Sequence, residues 1–227
     1  MEENNIPQSR IKSYVLRMGH FSVSQRRSYD LLSEKFLIPF QNGLINLSNY
    51  FGNDNPVTLE IGFGMGMATA QIAADNPNKN YLGIEVHRPG IGKLLWEIEK
   101  RSLSNIRIIE FDAVFAVEKM LGDSSCEAIH VFFPDPWPKK RHNKRRLIKR
   151  PFTGELCRIL KPDGYFYLVT DWEDYGIYAL NELNATPGLI NAYSGFSPPQ
   201  HWRPGTKFEQ KGLSKNHPIK EVYFLKK

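Results

Sequence analysis

Four carboxylates, each at the end of a predicted strand, are the residues whose types and spacing most clearly suggest chemistry. They are Glu60, Glu85, Asp112 and Asp135. Parallel strands end at a common edge of a sheet, so we expect these side chains to surround one crevice. Glu85 suits a bidentate hydrogen bond to ribose hydroxyls, and Asp112 is placed to accept from an adenine amino group. Gathered carboxylates repel one another unless something compensates their charge, so they predict a ligand with a positive charge.

A glycine-rich turn follows the first carboxylate, in the sequence EIGFGMG. Its glycines, Gly62, Gly64 and Gly66, allow a tight turn and a close approach of the backbone to a cofactor. The dinucleotide fingerprint G-x-G-x-x-G would need a third glycine at position 67, where the chain has Met67. The carboxylate before the turn would also repel a pyrophosphate. The turn therefore favours a cationic ligand that carries an amino-acid group.

A stiff, proline-rich segment carries the last carboxylate. Asp135 lies between Pro134 and Pro136, and Trp137 and Pro138 follow. Prolines restrict their own φ and disfavour helix at the preceding residue, so the segment holds Asp135 in a narrow range of positions. Trp137 either stacks on an unpaired base or packs on the core.

The positive charge of the chain is concentrated directly after this segment. Eight of the twelve residues 139–150 are Lys or Arg, whereas the rest of the chain has 22 basic and 24 acidic residues. A run this dense repels itself and is better accommodated beside a polyanion. Its position next to the predicted site favours a nucleic-acid substrate over a small metabolite.

The apolar pattern predicts the elements that must position these residues. A helix is expected from Ser22 or Ser24 to about Phe36. From residue 57, the strands VTLEI, NYLGIE, NIRIIEF, AIHVFF and YFYLVTD alternate with helices at about 65–74, 90–101, 114–121, 152–160 and 175–184. A turn at 161–164 is expected to stop the fourth of these helices. A short strand at about 189–193 and the strand IKEVYFL complete a sheet that is parallel except for its final strand.

Taken together, these residues resemble bacterial tRNA (guanine-N7-)-methyltransferases. The resemblance runs from about Ser13 to the C-terminus, and its motifs in order are EIGFGMG, GIEVHRPGIG, FDA, FFPDPWPKKRHNKRR, VTDW and TKFE. It implies a class I methyltransferase fold, which is α/β and Rossmann-like. That fold has a seven-stranded, mostly parallel sheet with helices on both faces and an antiparallel last strand.

The resemblance also implies the reaction and its partners. The expected enzyme transfers a methyl group from S-adenosyl-L-methionine to N7 of guanine 46 in the variable loop of tRNA and releases S-adenosyl-L-homocysteine. No metal, membrane or obligate protein partner is expected. A single domain over 1–227 is expected, with 1–21 as a basic N-terminal arm, where His20 replaces an arginine typical of the family.

Individual roles follow residue by residue from the same resemblance. Asp135 is expected to be catalytic. The expected cofactor contacts are Glu60, Gly62, Gly64, Gly66, Glu85, Asp112 and Asp135. The expected substrate contacts are Lys139, Asp171, Thr206, Lys207, Phe208 and Glu209. The expected RNA contacts are Arg141, His142, Asn143, Lys144, Arg145 and Arg146. Near the late substrate contacts, Lys211 stands where arginine is commoner in the family.

This chemistry requires no strong general base, because guanine N7 already has an in-plane lone pair. A carboxylate near the base would stabilise the positive charge that moves onto the purine. We expect Asp135 to do this with help from Asp171, and Glu209 to accept from guanine N1–H or N2–H. Holding N7 in line with the methyl group should supply the larger share of the rate.

Composition narrows the remaining possibilities. The two cysteines, Cys126 and Cys157, have no CxxC spacing, and the histidines have no metal-like spacing, so neither a disulfide framework nor a metal site is expected. The N-terminus has no apolar signal region, and no apolar run is long enough to span a membrane, so we expect a cytoplasmic protein.

Three alternative functions would each explain some of these sequence features. An NAD-dependent oxidoreductase would share the sheet, but it needs the third glycine and leaves the basic run unexplained. A non-catalytic RNA-binding protein would explain the basic run and leave the four acidic strand ends unexplained. A small-molecule methyltransferase would not need the basic run.

Overall fold

The computed structural model describes residues 11–15, 19–205, 209, 214 and 217–227. Its strands are β1 Val57–Ile61, β2 Asn80–Glu85, β3 Ile106–Glu110, β4 Cys126–Phe132, β5 Leu160–Thr170, β6 Leu189–Asn191 and β7 Lys220–Lys226. Its α-helices are α1 Val23–Phe36, α2 Leu47–Phe51, α3 Met67–Asp75, α4 Arg88–Arg101, α5 Ala113–Met120, α6 Phe152–Ile159 and α7 Glu173–Asn184. A 3-10 turn spans Lys140–Arg145. No helix in the described part of the chain is long and apolar enough to cross a membrane.

The seven strands form one sheet in the order β3-β2-β1-β4-β5-β7-β6. All pairs from β3 to β5 are parallel, and β7 runs antiparallel to both β5 and β6. The expected seven-stranded sheet with an antiparallel last strand is therefore confirmed. Strand order reverses between β1 and β4, so a crevice opens at their carboxyl ends.

Helices cover both faces of this sheet, as expected. One apolar layer packs beneath α2, α5, α6 and α7, and the other beneath α1, α3 and α4. The central strands are buried on both sides, since all five residues of β1 are buried. Burial along the whole strand is typical of parallel strands with two covered faces.

Helix α1 begins where the sequence predicts it. The Ser22 hydroxyl accepts from Gln25 N at 3.3 Å, and the Gln25 side chain accepts from Ser22 N at 2.9 Å, which forms a capping box. Its packing on α4 is close, because a Cβ at Gly92 would lie 2.5 Å from Gln25 O. The helix thereby holds the chain that precedes it near the first turn of α4.

Three local expectations differ from the structure. The 161–164 segment does follow the end of α6, but it is a bulged part of β5 and not a separate turn, because Leu160 and Tyr165 pair with Cys126 and Ala128 respectively. Asp163, one of the extra residues in the bulge, has a φ of 62°. Helix α3 begins two residues later than predicted, since Gly66 precedes it at φ 68°. The short helix α2 was not predicted.

Candidate active site

The glycine-rich turn after β1 has the backbone conformation that its composition predicts. Gly62, Gly64 and Gly66 have φ values of 74°, 57° and 68°. Residues with a Cβ are strained in this left-handed region. The turn also packs against the start of α4, since a Cβ at Gly90 would lie 2.0 Å from Gly64 O. Glycine is therefore a steric requirement both within the turn and at position 90.

The carboxylate at the end of β2 holds this turn in place. Glu85 Oε2 accepts from Gly64 N at 2.9 Å, and Oε1 accepts from the backbone N–H groups of Val86 at 2.7 Å and His87 at 3.1 Å. An ionised carboxylate offers about four acceptor positions, so these three bonds leave about one position, on Oε2, for a ligand hydroxyl. Glu85 thus shapes the crevice as well as lining it.

Glu60 lies within β1 and is buried. Burial raises its pKa to about 7, and the nearby Glu85 carboxylate shifts the pKa in the same direction. The side chain nevertheless lines a cavity of about 470 Å³ together with Gly62 and Gly64. A cationic group in this cavity would offset the cost of ionising Glu60.

Asp112 caps helix α5. Its Oδ1 accepts from Val114 N at 2.9 Å and from Phe115 N at 3.4 Å. The residues before and after it, Phe111 and Ala113, line a cavity of about 220 Å³. The cap gives Asp112 a structural role that the strand-end argument did not include.

Asp135 is exposed at the rim of the crevice. The loop that carries it leaves the sheet through Phe133, at φ 50°, and continues through Trp137, at φ 47°. Positive φ values at two aromatic residues indicate strain that the surrounding contacts must hold. Asp135 and Glu85 both line the 220 Å³ cavity and a second one of about 630 Å³. Two of the four predicted carboxylates thus line both cavities.

Lys139 lines the larger of these cavities together with His142. The structure therefore places an exposed cation and Asp135 around the same space. Arg141 and Lys144 are also exposed, on the 3-10 turn that follows. The expectation that these side chains contact phosphates stays a prediction.

Arg146 departs from the expected set of RNA contacts. Arg146 is only 1% exposed, and its guanidinium bonds to Pro136 O and to the exposed carboxylate of Asp174. Asn143 also faces the protein, because its amide donates to Trp137 O at 2.9 Å and to Lys139 O at 3.2 Å in the orientation that satisfies its neighbours. The basic run therefore has an outer and an inner side, which the sequence alone does not distinguish.

Trp137 packs within the protein. Its Nε1 donates to Ser13 O at 3.0 Å, the Arg145 guanidinium lies 4.9 Å from its ring centroid, and the His142 ring meets it edge-on. Of the two roles considered for this residue, these contacts favour packing.

Tyr14 is a lining residue that sequence reasoning missed. It borders both the 220 Å³ and the 630 Å³ cavities. Burial, followed by the effect of the Asp112 carboxylate, raises its pKa. Its only sequence signal was an aromatic residue in a polar, basic arm, which does not reveal that the arm returns to the crevice.

The late part of the chain supplies one further predicted residue. Both carboxylate oxygens of Glu209 accept from Arg203, at 2.7 and 2.8 Å, and Arg203 also donates to Glu221 at 3.0 Å. Pro204 and Gly205 line the same cavity as Glu60. Thr206, Lys207 and Phe208 lie outside the described residues.

Asp171 follows β5, so it leaves the sheet beside the Asp135 loop, where Phe133 N donates to Val169 O at 2.8 Å. It does not line any of the three cavities described above. Its carboxylate lies 4.0 Å from Nδ1 of His217. Among the described residues, no group of three or more His, Cys, Asp or Glu side chains could hold a metal ion.

The fold is shared with solved methyltransferase structures. The 16S rRNA methyltransferase KamB matches with a TM-score of 0.56 and 13% identity, over 92% of this chain and 96% of that one. The antibiotic-resistance methyltransferase Kmr matches with a TM-score of 0.54 and 13% identity, over 79% and 91%. At these identities the likeness concerns the fold.

Sequence comparisons are more specific. A family model described as "Putative methyltransferase" matches residues 54–222. The tRNA (guanine-N(7)-)-methyltransferase of Nitrosomonas eutropha is 50% identical over 95% of this chain and 96% of its own. The protein of the same name from Chromobacterium violaceum is 48% identical over 99% and 100%. The chain therefore belongs to the tRNA (guanine-N(7)-)-methyltransferase family of S-adenosylmethionine-dependent enzymes.

Proposed function

We propose that this protein methylates N7 of guanine 46 in the variable loop of tRNA, in the cytoplasm. The observation that carries the proposal is the joint placement of Asp135, Glu85 and Lys139 around one cavity at the carboxyl edge of the sheet. Family membership supports the reaction and the substrate. The choice of position 46 rests on the family resemblance.

The residues of the crevice fit the methyl donor. Glu60 is suited to its ammonium group, Glu85 to its ribose and Asp112 to its adenine, while the glycine turn gives the ligand close access to the backbone. Bound S-adenosylmethionine supplies a methyl group on a cationic sulfur and leaves as S-adenosylhomocysteine. The partial burial of these carboxylates strengthens their attraction for positive charge.

Asp135 is the proposed catalytic residue. During transfer the sulfur–carbon bond breaks, the N7–carbon bond forms and positive charge passes to the purine. A carboxylate held at the rim stabilises this charge and accepts a hydrogen bond from the guanine edge. Asp171, at the end of the neighbouring strand, assists it.

Glu209 is proposed to accept from guanine N1–H or N2–H. Its ion pair with Arg203 is compatible with this role, because an ionised carboxylate can accept from both partners. Thr206, Lys207 and Phe208, which lie outside the described residues, are also proposed substrate contacts. Lys139, Arg141, His142, Lys144 and Arg145 are proposed to face the tRNA, with their cations near its phosphates.

The decisive test uses unmodified tRNA transcripts and a labelled methyl donor. Chain cleavage at 7-methylguanine should map the product to position 46. A matched transcript with adenine at position 46 should accept no label. Label at another guanine would overturn the position, and label on another atom would overturn the reaction.

A further inference from the structure

Arg146 is the largest of the fully buried side chains in the described part of the chain, although it lies within a basic run in which Lys139, Arg141 and Lys144 are exposed. A buried charge is costly unless it is paired and hydrogen-bonded. The contacts of this guanidinium therefore indicate what the residue does.

The guanidinium joins a loop of the site to a neighbouring helix. Its Nε donates to Pro136 O at 3.0 Å, and its Nη2 pairs with the Asp174 carboxylate. Its central carbon lies 4.7 Å from the ring centroid of Tyr178 and 5.4 Å from that of Tyr175. Asp174, Tyr175 and Tyr178 belong to α7, so Arg146 connects this helix to the loop of residues 133–138.

The carbonyl groups of that loop depend on hydrogen-bond donors from other parts of the protein. Pro134, Pro136 and Pro138 have no N–H groups, and the φ values of Phe133 and Trp137 are positive. The bond to Pro136 O lies one residue beyond the exposed carboxylate of Asp135. A change at Arg146 would therefore remove one of the contacts that hold the loop, next to its catalytic group.

We propose that Arg146 is a positioning residue that holds Asp135 at the methyl donor, and not a phosphate contact. The inference rests on the proposed catalytic role of Asp135. Arginine suits this position because its planar fork donates in two directions while its face lies against aromatic rings. Lysine presents a single charged group and cannot reproduce that geometry.

The first test is Arg146→Lys. We expect kcat to fall by about 30-fold, since a small misplacement of a catalytic group can cost up to about 100-fold. The Kd for tRNA should stay within about twofold, and the slope of log Kd against log salt should not change, because no phosphate contact is lost. Arg141→Ala, on the exposed side of the same turn, should instead weaken tRNA binding and reduce the salt slope by about one.

A second variant covers the case in which Arg146→Lys does not fold. Asp174→Asn changes a side chain that is 71% exposed and leaves the buried guanidinium without its counter-ion. It should lower kcat in the same direction by a smaller factor, with tRNA affinity retained. Wild-type kcat in a folded Arg146→Lys or in Asp174→Asn would overturn the proposal, as would a reduced salt slope for Arg146→Lys.

The double variant Asp135→Asn/Arg146→Lys separates this inference from the proposed function. If Arg146 acts through Asp135, the second substitution should cost little once Asp135 is changed. If instead Asp135→Asn alone leaves turnover unchanged, the catalytic assignment fails. Independent, multiplicative losses would show that Arg146 acts by another route.

Discussion

At the scale of single residues, the site is a set of carboxylates in unequal surroundings. Glu60 is buried, Glu85 is engaged by backbone amides, Asp112 caps a helix, and Asp135 is exposed on a proline-rich loop. Their environments suit different tasks, although their residue types are nearly alike. Only Asp135 combines exposure with a rigid mount, which is why we assign the chemistry to it.

Asp135→Asn should lower kcat by about 100-fold, comparable to the loss of one electrostatic contact to a transition state. Asparagine keeps the size of the side chain and removes the charge that stabilises the methylated purine. Single-turnover rates at saturating tRNA and methyl donor would measure the effect. Unchanged turnover, with both ligands still bound, would refute the role.

Glu60 should make the stability of the ligand-free protein depend on pH. Its folded pKa of about 7 lies above the ordinary value of 4.5, so the native state keeps a proton that the unfolded state releases. The free energy of unfolding therefore falls as pH rises from about 4.5 to about 7, by about 3 kcal/mol for this group. Glu60→Gln should remove that component. Urea unfolding at pH 5 to 8 measures it, and equal slopes for both proteins would contradict it.

At the scale of elements, the glycine turn and the first turn of α4 form one packed unit. Gly90→Ala would place a Cβ 2.0 Å from Gly64 O, and that neighbour is backbone and must shift. We expect the affinity for S-adenosylhomocysteine to fall by about tenfold or more, since overpacking displaces the turn.

The matched control is Gly154→Ala in α6, where a Cβ would meet nothing within 4 Å. It should leave ligand affinity unchanged and stabilise the protein by about 0.4–1 kcal/mol. Isothermal calorimetry with both variants tests the pair. Equal affinities would show that the contact with Gly64 does not shape the site.

The 3-10 turn Lys140–Arg145 is the element that we expect to meet phosphates. Lys144→Ala should weaken tRNA binding and reduce the salt slope by about one, because one counterion-releasing contact is lost. Lys119→Ala removes the same charge at the last turn of α5, which runs away from the carboxyl edge of the sheet. It should change neither quantity, and equal effects of the two variants would point to non-specific attraction.

At the scale of the whole molecule, the ligand crevice lies where the two halves of the sheet meet, between β1 and β4. A ligand there contacts loops from both halves and should stabilise the native state as a whole. At a concentration 100 times its Kd, S-adenosylhomocysteine should raise Tm by about 5 to 10 °C. NAD+ at the same concentration should not. A comparable rise in Tm with NAD+ would support the oxidoreductase hypothesis instead.

Much of this architecture could be predicted from local patterns of apolar residues in the sequence. Buried strands appear as apolar runs and helices as periodic ones, and the seven strands lie where those patterns predict them. The bulge at 161–164 was misread because Pro, Asp and Gly signal a turn locally, whereas pairing with β4 keeps the segment in the sheet. Helix α2 has its own signals in Asn46 and Gly52, but it is only five residues long.

By itself, the sequence determined the family, the sheet, the glycine turn and the positions of the four acidic strand ends, because these follow from local periodicity, steric limits and specific motifs. Only the tertiary structure decided which cations face the solvent. Arg146 and Arg141 belong to one basic run, yet one is buried against α7 and the other is exposed. The return of Tyr14 to the crevice was decided in the same way. Burial and long-range contact depend on elements distant in sequence, so no local pattern contains them.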